Sequence, residues 1–265
     1  MTNRKELLSW RHREENLRKI ERYHKFVVMF YRTNDLIHSK RVGAMLEEIL
    51  PYIIKLYPEF DVTLAKLIAL HHDNHEIIMK GGDISLQLKL DMIYNGDHEG
   101  LRLLHQEEIL ATEKLSESYP KKIKGYNYKE IALHAILKDC MEAQAVSFVD
   151  KIDGYSEAIH EVLAGNLVFL EPVINYLSNT FNDLVRAYPL IKELFEIKNV
   201  WFDLKSVVDL KDFFEDGLIG GKPHTKETID KKTVIPQYEM WKKITLKNFG
   251  IEPLVNQAEF HHNTK

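Results

Sequence analysis

Apolar residues recur at helical spacing along most of this 265-residue chain. Leu7, Leu17, Ile20 and Tyr23 mark a charged amphipathic stretch, and the apolar run 26–31 follows it. A second helix is predicted over about 38–57, halted before Pro58. The third opens after Asp61, whose short carboxylate suits an N-cap, and carries Leu64, Leu67, Ile68, His71 and His72 toward the break at Gly81 and Gly82. Helical periods then cover about 99–118, ended by Pro120, and 128–137. The next segment, 142–164, closes on Gly165 and Asn166 in the manner of a C-cap, and another spans 172–187. No stretch alternates with the period of a strand, so the fold class expected is all-α.

Beyond residue 188 the texture changes. Gly217, Gly220, Gly221, Pro223 and Pro236 punctuate a charged segment at 216–237, which reads as a long loop before a last helix near 238–248. The expected organisation is a helical domain over residues 1–187, with residues 188–265 as a C-terminal extension packed on it or capping it. A prior of roughly 150 residues per domain is compatible with that division.

Composition narrows the function classes. A charged fraction of 29% beside a hydrophobic fraction of 45% excludes a disordered or fibrous chain. A formal net charge of −4 gives no bulk attraction to nucleic acid or anionic membranes. No apolar run is long enough for a membrane span. The first 22 residues are dense in Arg, Lys and Glu, so no secretory leader is expected and the expected location is the cytoplasm. Cys140 is the single cysteine, which excludes an internal disulfide and a thiolate-built zinc finger. Any metal must therefore be held by histidines and carboxylates.

The strongest chemical signal is Ala69-Leu70-His71-His72-Asp73-Asn74-His75-Glu76, a polar cluster at the end of an apolar helix. Burying such groups without partners is expensive. On a helix, Glu76 lies four residues after His72 and three after Asp73, so the three share a face. Upstream, His38 sits at a predicted helix start in Thr33-Asn34-Asp35-Leu36-Ile37-His38. Downstream, Asp150 interrupts an apolar helix in Val149-Asp150-Lys151-Ile152-Asp153. Two histidines and two carboxylates would suit a divalent transition metal, which acidifies water enough for it to attack a phosphoester near neutral pH. Among 13 histidines and many acids this order also arises by chance, and each residue has an ordinary structural alternative as a packed or paired polar group.

The surrounding residues sharpen the pattern. Arg32-Thr33-Asn34 precedes His38, Glu76 follows the His72-Asp73 pair, Gly82-Asp83 comes next, and Ala164-Gly165-Asn166 closes the helix bearing Asp150. In these features the chain resembles the HD superfamily of metal-dependent phosphohydrolases, and within it the bacterial 5'-deoxynucleotidases, over about residues 20–187. The resemblance implies an HD-type helical bundle in which His38, His72, Asp73 and Asp150 hold one divalent ion (Mn, Co, Zn or Fe). It implies that Glu76 orients or deprotonates the attacking water and that Asp83 assists. Gly82-Asp83 falls about two residues later than in the family pattern, which touches Asp83's role more than the metal set. Arg22 and Tyr23 correspond to an Arg-aromatic pair that contacts sugar and base in the family, at a different distance from the first histidine.

Arg32 and Lys151 are further candidates for neutralising a substrate phosphate, and His75 for reaching one. His71 is expected to pack or to orient a ligand carboxylate, and Asp153 to form a local ion pair. Aromatic residues such as Trp10 are expected in the core. His98, His105, His134 and His160 show no paired motif.

The function expected is hydrolysis of (deoxy)nucleoside 5'-monophosphates to nucleoside and phosphate. Release of triphosphate from dNTPs is the alternative, and a non-catalytic nucleotide-sensing scaffold is the alternative of a different class. The partner expected is a small-molecule nucleotide, and the resemblance and the prevalence of two-fold symmetry point to a homodimer.

Overall fold

The computed structural model describes residues 8–28, 33–163, 166–176, 180–196, 241 and 243–245. Among these the structure is helical apart from turns and a two-residue antiparallel pairing, Lys122 opposite Asn127 and Ile123 opposite Tyr126. The chain divides into two units. The first comprises 1–24, 32–46 and 59–147, the second 25–31, 47–58 and 148–265. No helix among the described residues is long and apolar enough to cross a membrane.

In the first unit a 3₁₀ turn, Trp10–His12, leads into the short helix α1 (Arg13–Leu17). Helix α2 (Asp35–Leu56) begins three residues earlier than the expected start and runs through Pro51. Helix α3 (Val62–His71) opens as expected, with the Asp61 Oδ1 accepting the Leu64 N–H at 2.9 Å. It ends sooner than the apolar pattern suggested, and a 3₁₀ turn at Asn74–Ile77 follows.

Two helices complete this side of the unit. Ser85 caps α4 (Leu86–Tyr94), a helix the sequence pattern did not single out, and Asp97 caps α5 (His98–Ser116). The β1 (Lys122–Ile123) and β2 (Tyr126–Asn127) hairpin turns through Lys124 and Gly125, both at positive φ. Asn127 then caps α6 (Tyr128–Leu137). Helix α7 (Met141–Leu163) starts in this unit and continues into the second.

Helix α6 packs against α3 and α5, and α5 packs against the 3₁₀ turn after α3. Leu115, Tyr119, Tyr128 and Ala132 are buried together, with Trp10, Ile77, Ile78 and Ile123 packed on them. The Trp10 ring meets Tyr119 edge-on at 5.1 Å and lies 5.4 Å from His71. Trp10, expected in the core, is partly buried and packs against this cluster. A fully buried aromatic or aliphatic side chain contributes about 1.5–3 kcal/mol of transfer free energy, so this cluster anchors the segment that carries the polar residues after α3.

The second unit holds the C-terminal part of α2, the rest of α7, and α8 (Leu170–Asn175), α9 (Phe181–Ala187) and α10 (Pro189–Glu196). Of the segment expected as one helix over 172–187, residues 172–175 lie in α8 and 181–187 in α9, with π-helical residues at 176 and 180, and the end falls at Ala187 as expected. Tyr155, Tyr176 and Phe181 pack ring to ring. Trp241, fully buried, donates its indole N–H to Asp153 Oδ1 at 2.9 Å. Asp153, expected to form a local ion pair, thus accepts from a residue 88 positions away in the C-terminal segment. Asn166 donates its side-chain amide to the Val27 carbonyl and to Glu161.

Candidate active site

The early end of α3 builds the centre of the site. His72 is the helix C-cap, and Asp73 takes φ −100° and ψ 10°, outside the helical ladder. A continuous helix would turn successive side chains about 100° apart. The break brings the adjacent pair onto one point: His72 Nε2 lies 3.1 Å from Asp73 Oδ2. From the first turn of α2, His38 Nε2 reaches the same place, 3.1 Å from His72 Nε2 and 3.3 Å from Asp73 Oδ2. Asn34 fixes that turn by accepting the Ile37 N–H.

His72 is oriented by its other nitrogen, 2.9 Å from the Ala69 carbonyl. A carbonyl only accepts, so Nδ1 carries the hydrogen and Nε2 of a neutral ring presents its lone pair to the centre. Burial opposes ionisation of Asp73, but the charges and hydrogen bonds of His72 and His38 outweigh it and hold its carboxyl well below the usual range.

Three further carboxyls, Asp35, Glu76 and Asp83, are coupled electrostatically, two of them directly to Asp73. Asp35 is fully buried, and burial together with the charges of Asp73 and Asp83 pushes its pKa well above the usual value, against a smaller pull from Arg22. Glu76 is also raised well above its usual value, by burial first and then by Asp35, Asp73 and Asp83. Both oxygens of Asp35 and Oε2 of Glu76 are buried without an N–H or hydroxyl donor among the described residues, and the two carboxyls lie within hydrogen-bonding reach of each other. Carboxyls coupled to one another at such burial, beside two imidazoles that share Asp73, are costly without a cation. The donors are nitrogen and oxygen in mixed number, which suits a divalent transition metal. The residues present therefore fit the ion that the sequence pattern implies.

The platform under the site is a buried network. Arg13 donates from Nε to Asn74 Oδ1 at 2.8 Å and from its terminal nitrogen to the Leu70 carbonyl. Asn74 donates in turn to the Tyr128 hydroxyl at 2.9 Å. These bonds tie the end of α3 and the first residue of the 3₁₀ turn to α1 and α6. Gly82, at φ 64°, holds a backbone conformation that favours glycine just before Asp83, and an added Cβ would lie a tight 3.0 Å from the Ile20 side chain.

The other residues singled out from sequence fall as follows. Arg22 is buried and felt electrostatically at Asp35. Tyr23 is half-buried with φ 51°. His75 is buried, and desolvation keeps its imidazole below the usual value despite the charges of Asp73 and Glu108. Its burial favours a neutral ring over a phosphate-binding cation. Asp150 lies on α7 in the second unit, its Oδ2 2.7 Å from Lys151 Nζ. Arg32 lies outside the described residues. Asp35 is the residue that sequence reasoning did not select. Its position three before His38, on the same helical face, was the available signal.

An all-helical scaffold with two histidines and an aspartate converging at a helix end defines an HD-domain protein. The chain belongs to the YfbR-like family: residues 13–185 match the family described as 5'-deoxynucleotidase YfbR-like. The family implies a hydrolase acting on nucleotides. No curated protein matches the chain significantly.

Proposed function

We propose that the protein hydrolyses (deoxy)nucleoside 5'-monophosphates to nucleoside and orthophosphate. The observation that carries this reading is the convergence of His38, His72 and Asp73, whose Nε2 and Oδ2 atoms lie 3.1–3.3 Å apart. Membership of the YfbR-like family supports it. His38, His72, Asp73 and Asp150 are the proposed metal ligands, and His38, His72 and Asp150 each have an atom to offer an ion. A divalent cation there supplies Lewis acidity toward a phosphoester.

The remaining roles belong to the chain's own residues. Glu76, whose proton affinity is raised by burial, accepts a proton from the attacking water at its buried Oε2. Asp83 is the proposed assisting group, electrostatically coupled to Glu76. Arg22, Tyr23, Arg32 and Lys151 are the proposed substrate contacts, with the cations facing phosphate oxygens. His75 enters as a neutral hydrogen-bonding group. Trp241's bond to Asp153 supports a C-terminal extension packed on the domain.

The test is product release from a panel of nucleoside mono- and triphosphates with added Mn²⁺ or Co²⁺, with Asp73→Ala as control. Orthophosphate from monophosphates, absent in the control, is the expected result. Inorganic triphosphate from dNTPs would overturn the substrate assignment, and silence across the panel by a metal-loaded protein would overturn the enzyme reading.

A further inference from the structure

We propose that His134, Asp139 and Cys140 form a second divalent-cation site, of the imidazole, carboxylate and thiolate class that suits Zn²⁺. None of the three belongs to the candidate active site. Their donor atoms, one from each residue, all lie within 4.8 Å of one another. Metal–donor bonds of about 2.0–2.3 Å place tetrahedral donors roughly 3.3–3.6 Å apart, so closure needs about an ångström of side-chain adjustment.

The site is built where α6 gives way to α7. Helix α6 ends at Leu137, and Lys138 adopts the left-handed conformation, φ 53° and ψ 34°, with its N–H returned to the His134 carbonyl at 2.8 Å. This reversal brings the next two residues back beside the last turn of the helix. His134 Nδ1 then meets Asp139 Oδ1 at 2.6 Å, and Cys140 is half-buried next to them. A fourth donor group stands close: the Glu142 carboxylate lies beside the thiol and is anchored by the Asp61 N–H, 2.8 Å from Oε1. Asp61 is itself held by the Tyr126 hydroxyl at 2.6 Å. Two carboxylates, an imidazole and a thiol thus share one corner.

The donor chemistry separates this corner from the first site. A thiolate selects softer ions such as Zn²⁺, whereas nitrogen and oxygen donors alone accept a wider range that includes Mn²⁺. Three protein ligands leave a position for water or for Glu142. On binding, the thiol proton passes to solvent, the His134 ring keeps its one hydrogen on Nε2, and the ion replaces the His134–Asp139 hydrogen bond. The ion would clamp the end of α6 to the start of α7.

The experiment is a Co²⁺ titration of the full-length protein in the Asp73→Ala background, which lacks a ligand of the first site. One equivalent of Co²⁺ should bind with a sulfur-to-cobalt charge-transfer band in the near ultraviolet, and Zn²⁺ should displace it. The first cluster has no sulfur, so the band belongs to Cys140 whatever the fate of the nucleotidase reading. Cys140→Ser should abolish the band and weaken Zn²⁺ binding at least tenfold. His134→Gln and Asp139→Asn, at partly exposed positions, should each weaken binding while far-ultraviolet circular dichroism stays that of the parent. Absence of the band at saturating Co²⁺ would overturn the proposal. So would Zn²⁺ affinity that is unchanged in His134→Gln and Asp139→Asn.

Discussion

His38 and His72 come from helices 34 positions apart in sequence, yet their Nε2 atoms approach to 3.1 Å. Two ring nitrogens at that distance cannot both carry protons without repulsion. Asp73 Oδ2, 3.3 Å from the first and 3.1 Å from the second, completes a set of donors arranged for a shared cation.

Metal binding and rate separate by residue. His38→Ala should lose both bound metal and hydrolysis. Glu76→Gln should keep the metal and lose about 10²–10⁴ in rate, the usual contribution of a general base. Metal analysis beside steady-state kinetics distinguishes them, and full activity in Glu76→Gln would remove that residue from the mechanism.

Asp35 is expected to trade stability for cation affinity. Its carboxyl is buried among Asp73 and Asp83, an arrangement that costs free energy without an ion and favours one that is bound. Asp35→Asn should raise the Tm of chelator-treated protein and weaken Mn²⁺ binding by about tenfold. Calorimetry with and without Mn²⁺ reads both effects. A lowered Tm in the chelated variant would contradict the crowding argument.

The Arg13 network should be a large stabilising element. Arg13→Met removes charged hydrogen bonds to Asn74 and the Leu70 carbonyl and strands two buried acceptors, at a cost of about 3 kcal/mol. Tyr128→Phe takes away only the acceptor of one Asn74 N–H and should cost about 1 kcal/mol. Urea unfolding midpoints at neutral pH give the comparison, and equal losses would show that the guanidinium is not central.

His71 should make the acid limb of stability steeper. Burial first, then the charges of Arg13 and His72, lower its pKa to about 3. The unfolded chain takes up a proton below its ordinary value of about 6.5 while the folded ring does not, so stability is complete above that pH and declines as pH falls toward 3. His71→Gln should flatten this decline by up to about 1.4 kcal/mol per pH unit. Urea unfolding of chelated protein at several pH values below 7 measures it, and parallel curves for the two proteins would rule out His71 as the cause.

The sequence by itself determined the helical class, because apolar spacing near 3.6 residues and scarce turn residues admit little else. It also determined the Asp61 cap and the polar cluster around His72-Asp73, since capping and metal-ligand chemistry depend on residue type over a few positions. It marked His38 by its place at a predicted helix start and Asp150 by its interruption of an apolar helix, but tied them to His72-Asp73 only through a resemblance, because ligands distant in sequence leave no local periodic trace. Tertiary structure decided the rest. The end of α3 at His71, where an apolar helix was expected to continue, follows from Arg13 and Asn74 capturing the turn. Asp35 belongs to the cluster because α2 starts early enough to bury it one turn before His38. His134, Asp139 and Cys140 meet because Lys138 reverses the chain, a backbone choice that no pattern of apolar residues encodes.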